Sequence, residues 1–161
     1  MKTLTFWAAT ALLGLASPAL AQSNPQQIPP AQPVLQYAGQ TPDGEATFVE
    51  VGTFGFWQGR GYGWLLRFHP SDPQPVWVRE IVDCRTKAIT DDYVVWLDGE
   101  SLAPYAFSDA GFPMSRQTHS PDSIIETAFA NAACSGGPPH PGPRVTSVRE
   151  AIAYAQRETG S

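Results

Sequence analysis

The sequence predicts an α+β fold: an antiparallel sheet of about five to six strands with one helix packed on a face and tied to it by a disulfide. Two observations carry that expectation. Apolar residues recur at period two through much of residues 47 to 97 and at helical spacing only after residue 120. The second of just two cysteines closes that helical stretch, while the first closes a strand.

The strands follow in order. Thr47 to Val51 alternates, with Phe48 and Glu50 opposite Val49 and Val51, and Thr53 to Trp57 continues extended. Gln58-Gly59-Arg60-Gly61 reads as a turn, because its glycines remove the steric cost of positive φ. Tyr62 to His69 puts Trp64, Leu66 and Phe68 on one face. After the break at Pro70-Ser71-Asp72-Pro73, Val76 to Cys84 sets Val76, Val78, Val82 and Cys84 on a common face. Arg85-Thr86-Lys87 turns the chain into Ala88 to Leu97, and Asp98-Gly99 ends that strand. Residues 100 to 119 show no clear period and read as a loop with room for one short strand.

Ser120-Pro121-Asp122 then supplies an N-cap, a first-turn proline and an acid for the helix dipole. Ile124, Ile125, Ala128, Phe129 and Ala132 make one apolar stripe leading to Cys134. Beyond it, residues 135 to 144 (SGGPPHPGPR) form a linker. Ser147 with Glu150 is a capping-box pattern that opens a short C-terminal helix. Its stripe of Val148, Ile152 and Ala155 is weak, so the tail is expected to stay independent of the folded part.

The ends divide the chain further. Lys2, the apolar run Phe6 to Ala16, helix-breaking Pro18 and Ala19-Leu20-Ala21 are arranged as a signal peptide over residues 1–21, cleaved after Ala21. The run is too short for the ~20 residues that cross a bilayer. No integral membrane segment is expected after cleavage, and no cysteine at the site accepts a lipid. Residues 22–33 (QSNPQQIPPAQP) are uncharged and Pro-rich, an extended linker. The folded part is expected over 34–134, and 135–161 hold the second linker and the short helix. Export places the protein in the periplasm or outside the cell. In an oxidising compartment, a lone pair such as Cys84 and Cys134 forms one disulfide.

These residues resemble the surface-adhesin protein E family of Gram-negative envelopes. The likeness rests on the hairpin from Phe48-Val49-Glu50 through Gly59 to Leu65-Leu66, on Asp83-Cys84-Arg85 closing a strand, and on Pro121-Asp122-Ser123 opening a helix that runs into Cys134. It covers residues 46 to 134. The resemblance implies an antiparallel sheet with a helix on one face. Founding members bind host matrix and plasma proteins from a lipid-anchored position, whereas this chain has no lipidation cysteine and adds a C-terminal tail.

A net charge of −5 argues against a nucleic-acid partner, which needs clustered Lys and Arg. His69, His119 and His140 come from three separate elements and read as solvated loop residues, so no metal ligand set is expected. Asp91 and Asp92 are adjacent, which on a strand sends them to opposite faces. They read as two solvated charges at a strand edge, not as a proton-sharing pair. No G-x-S-x-G elbow surrounds a serine, and the glycines from Gly52 to Gly63 lack the lysine and helix of a phosphate loop. Neither a catalytic group nor a cofactor is expected.

The aromatic hairpin remains. Phe54, Phe56, Trp57, Tyr62 and Trp64 lie within eleven residues, and period two cannot turn all five to one face. Phe54 and Phe56 fall on one side and Trp57 on the other, which makes these three the candidate partner-binding residues. Trp57 is either an interface anchor or packed under the loop of residues 100 to 119. The expected function is a non-catalytic binding or envelope-interaction domain whose partner is a protein or envelope component. Two alternatives stand beside it: a small periplasmic hydrolase with a site built from dispersed loop residues, and an accessory subunit docking through its C-terminal helix.

Overall fold

The computed structural model describes residues 29–108, 118–137 and 142–160. The segment expected as a leader (1–21) and most of the one expected as a linker (22–33) lie outside them, as does His140. Among the described residues the chain forms one antiparallel sheet and two helices: β1 (Leu35–Gln40), β2 (Ala46–Glu50), β3 (Gly55–Trp57), β4 (Arg60–His69), β5 (Asp72–Asp83), β6 (Ile89–Leu97), β7 (Pro104–Ser108), β8 (Thr118–His119), α1 (Ile124–Ser135), β9 (Arg144–Val145) and α2 (Val148–Thr159). The strand order is β7-β6-β5-β4-β2-β1-β9, with β3 beside β4 and β8 beside β6. Cys84 and Cys134 are bridged, with Cα atoms 5.4 Å apart.

The strands expected from periodicity correspond to β2 through β6. The sheet exceeds five or six strands because β1, β7, β8 and β9 join it without a strong alternating pattern. β1 contains Gly39 and an irregularity between Tyr37 and Gly39, and β8 and β9 are two residues each. Backbone pairing offered by a neighbour recruits such segments where their own composition does not.

The two sheet faces carry separate cores. On one, Leu66, Phe48, Phe68, Trp64 and Trp77 pack together. On the other, Val49, Leu65 and Val82 pack under Phe129, Ala130 and Ala133 of α1. The face carrying Trp64, Leu66 and Phe68 is therefore turned away from α1. The helix lies instead over Gly61, Gly63 and Leu65, the alternate positions of β4. Glycine there permits close approach: a Cβ on Gly61 would fall on the carbonyl group of Ala133, well inside van der Waals contact, and one on Gly63 would sit 3.1 Å from the Phe129 ring. Phe129 is completely buried, worth about 1.5–3 kcal/mol relative to exposure.

Helix α1 begins three residues later than the Ser-Pro-Asp pattern predicts. Its N-cap is Ser123, whose Oγ accepts from Glu126 N at 3.1 Å, while Glu126 Oε2 accepts from Asp122 N at 3.0 Å. This reciprocal pair satisfies two backbone donors where Ser120 had only its side chain to offer. The C-terminal end closes on Gly136 in the left-handed conformation.

The tail also departs from expectation, because it is part of the fold. β9 pairs with β1, Val145 opposite Leu35, and Ser147 caps α2 by accepting from Glu150 N at 3.2 Å. Ala151 and Ala155 of α2 are completely buried against the face opposite α1. The Tyr154 ring packs 5.1 Å from Tyr37, and Gln156 Nε2 donates to Pro70 O at 3.1 Å. The alanine stripe looks weak in sequence because the large apolar partners, Tyr37 and Phe48, come from the sheet. Small residues let the helix axis come close to them.

Candidate binding surface

The hairpin β3–β4 is built to hold its tip still. Gln58 and Gly59 both take positive φ (49° and 79°), the two-residue geometry whose twist matches the strands it joins. Gly59 O accepts from Cys84 N at 3.1 Å, which ties the turn to the end of β5. Cys84 is bridged to Cys134 of α1, and Gly61, two residues past the turn, lies directly on Ala133. Turn, strand end and helix end thus meet at one covalent fastening.

From this tip two aromatic side chains reach solvent. Phe56 is 55% exposed and Trp57 37%. They stand on opposite faces of the ribbon, since Phe56 faces Gly61 and Trp57 faces Arg60 across the ladder. Phe54 is separated from them. It is half-buried, its ring 5.7 Å from that of Phe129, and it belongs to the core under α1. Gly55 leaves its side-chain space to the Tyr62 ring, which props β3 from below.

Beside Trp57, Arg60 opens a groove of about 510 Å³ lined also by Ile81, Asp83, Thr86, Thr90 and Asp92. Backbone N–H groups of Thr86 and Arg85 point at Asp83 (3.0 and 2.9 Å), and these bonds hold its carboxyl below the usual carboxylate range. Asp92 is not a freely solvated charge: it accepts from Arg79, whose guanidinium lies 5.9 Å from the Trp64 ring and 5.7 Å from that of Tyr93. Asp91 faces Glu80 across the β5–β6 ladder, and a bulge lies between that pair and Arg79–Tyr93. Both aspartates are inside β6 and half-buried, so the expectation of a solvated strand edge is corrected. The bulge at Asp92 also interrupts the simple alternation foreseen for the two, and both line the groove beside Arg60.

A second groove, of about 350 Å³, lies at the N-terminal end of α1 between Glu45, Thr47, Arg67, Asp122 and Glu126. Arg67 is ion-paired with Glu80, which is completely buried, and stands 4.0 Å from Glu45. Burial pushes the Glu45 carboxyl up, against the opposing pull of Arg67. Nothing in the local pattern marked Arg67, Arg79 or Glu80. Their only sequence signal is a charge at a position whose strand neighbours are buried.

His69 is exposed, and among the described residues no three potential metal ligands converge. No helix among them is long and apolar enough to cross a membrane. The chain matches no protein-family model, no curated protein and no solved structure.

Proposed function

We propose that the chain is an exported, non-catalytic binding domain of a Gram-negative envelope, akin to the surface-adhesin protein E family, and that it grips a protein or envelope partner with the tip of the β3–β4 hairpin. One observation carries this reading: Phe56 and Trp57 are exposed on a turn fixed by the Cys84–Cys134 bridge. Large aromatic side chains are the usual anchors of protein interfaces. Anchors already held in place lose little entropy when a partner arrives, so more of the contact energy appears as affinity. The bridge also supports an oxidising compartment, in agreement with the leader pattern of residues 1–21.

The test uses Trp57→Ala and Phe56→Ala in the exported protein, with affinity capture from an envelope extract and a thermal melt side by side. Each substitution is expected to weaken capture by about fivefold or more, equivalent to ~1 kcal/mol, with little change in melting temperature. Undiminished capture by both variants would sink the proposal. So would a fall in stability of about 3 kcal/mol, the cost of emptying a core site.

A further inference from the structure

Trp57, Arg60 and Asp83 form one row across the sheet. Trp57 faces Arg60 in the β3–β4 ladder and Arg60 faces Asp83 in the β4–β5 ladder, and directly opposite residues share a face. Two residues further along the strands, Ile81 faces Thr90, and Thr90 faces Thr118 on β8. These two rows frame the groove of about 510 Å³, a size ordinary for a small-ligand site. From β3 through β4, β5 and β6 to β8 the sheet extends about 19 Å. Phe56, opposite Gly61, is on the other face.

The polar groups of the groove are donors and acceptors set side by side. Arg60 is exposed and, among the described residues, makes no ion pair, although Asp83 faces it. A guanidinium only donates and a carboxylate only accepts. Asp83 Oδ1 accepts from Arg85 N at 2.9 Å and from Thr86 N at 3.0 Å, which fixes the carboxylate. Acceptor capacity is left over, since a carboxylate has about four lone-pair sites. The Thr90 and Thr118 hydroxyls, 2.8 Å apart, are groups that both donate and accept. Arg79 is paired with Asp92, and Arg60 offsets part of the charge of Asp83 and Asp91. The groove therefore does not select strongly for an ion of either sign.

We infer that this groove takes a neutral oligosaccharide, one ring stacking its C–H face on Trp57 while a hydroxyl accepts from Arg60 and donates to Asp83. The inference rests on reading the hairpin as a binding surface and names the chemistry that surface takes. A hydroxyl oxygen donates and accepts at a single atom, which suits a donor and an acceptor on α-carbons about 5 Å apart. The N–H and C=O of a peptide group point in opposite directions and do not meet both. The weakly positive C–H face of a sugar ring matches the negative face of an indole. A groove that crosses several strands suits a chain of rings better than one ring.

The experiment titrates the exported protein with maltotetraose, cellotetraose and chitotetraose, and with tetralysine as the charged comparator. It follows the Trp57 indole N–H resonance, assigned by its loss in Trp57→Phe. At least one tetrasaccharide is expected to shift this resonance with a Kd of about 1 mM or tighter. Arg60→Ala, at an exposed position, is expected to weaken that binding about tenfold with an unchanged thermal melt. Phe56→Ala is expected to leave it as it was. A resonance that none of the sugars moves overturns the inference, and so does one that only tetralysine moves. Binding that ignores Arg60→Ala, or falls equally in Phe56→Ala, also overturns it. If no sugar moves the resonance while Trp57→Ala weakens envelope capture, the saccharide fails and the binding surface stands. If a sugar moves it while capture ignores Trp57, the groove stands as a sugar site and the hairpin fails as the partner surface.

Discussion

Substituting Gly61→Ala tests how the helix, the sheet and the disulfide hold one another. Gly61 lies on β4 opposite Val82, two residues before Cys84, and its α-carbon rests on Ala133, one residue before Cys134. An added Cβ would overlap the Ala133 carbonyl group and lie 2.9 Å from its Cβ. Reaching ordinary contact at 3.4 Å requires a separation of roughly 1 Å between α1 and β4. The Cys84–Cys134 bridge, its Cα atoms 5.4 Å apart, opposes that retreat. Overpacking of this kind costs about 1–3 kcal/mol, while the alanine recovers about 0.4–1 kcal/mol by restricting the unfolded chain. A net loss of about 1–2 kcal/mol in urea unfolding is expected. Gly59→Ala is the control: it has open space around it and loses stability only through its positive φ of 79°. The decisive comparison repeats Gly61→Ala in a Cys84→Ser, Cys134→Ser background, where the helix is free to shift. There the loss should shrink, giving a coupling energy of about 0.5 kcal/mol or more. Strict additivity would refute the mutual fastening. Full rescue by Ala133→Gly would refute the backbone overlap, because that change removes the Cβ and leaves the carbonyl group in place.

Three further outcomes are expected. Cys84→Ser alone should lower unfolding stability by about 2–5 kcal/mol, and native protein that titrates two free thiols would contradict the bridge. Ala155→Asp, which sets a charge at a completely buried position of α2, should cost more than about 2 kcal/mol; an unchanged melting temperature would show that the tail is not part of the core. Burial raises the Glu45 pKa above its ordinary 4.5, so the folded state binds this proton more tightly than the unfolded chain does. The contribution of this site is most favourable below the unfolded pKa and is lost as pH rises through the folded one. Glu45→Gln should therefore gain stability relative to the parent at neutral pH, with the gain fading in acid. A constant difference across the titration would assign the effect to something other than this proton.

Much of the fold was legible because its signals are local. Alternation marked β2 through β6, the Gly-rich turn marked the hairpin tip, and an apolar stripe marked α1. Two cysteines in a chain with an export pattern marked the bridge. In each case the information lies within a few residues, where backbone sterics and periodicity act. Ser147 and Glu150 announced α2 in the same way, since a cap is chemistry between residues three apart.

Other features depended on residues far away in sequence. Whether α1 covers Trp64, Leu66 and Phe68 or the alternate row cannot follow from period two, which is symmetric between faces. The glycines at 61 and 63 decided it, because only their side of β4 accepts a helix backbone at close range. The tail's alanines carried too little apolar surface to announce a core contact until Tyr37 and Phe48 were set opposite them. Arg67 and Arg79 read as ordinary charged residues until cross-strand pairing brought Glu80 and Asp92 to them. At the candidate site, alternation placed Phe56 and Trp57 on opposite sides of the ribbon, and tertiary structure drew Phe54 into the core and left the other two exposed. The sequence determined β2 to β6, the two helices and the covalent fastening. Tertiary structure determined which faces are buried, because burial depends on what the rest of the chain brings to each surface.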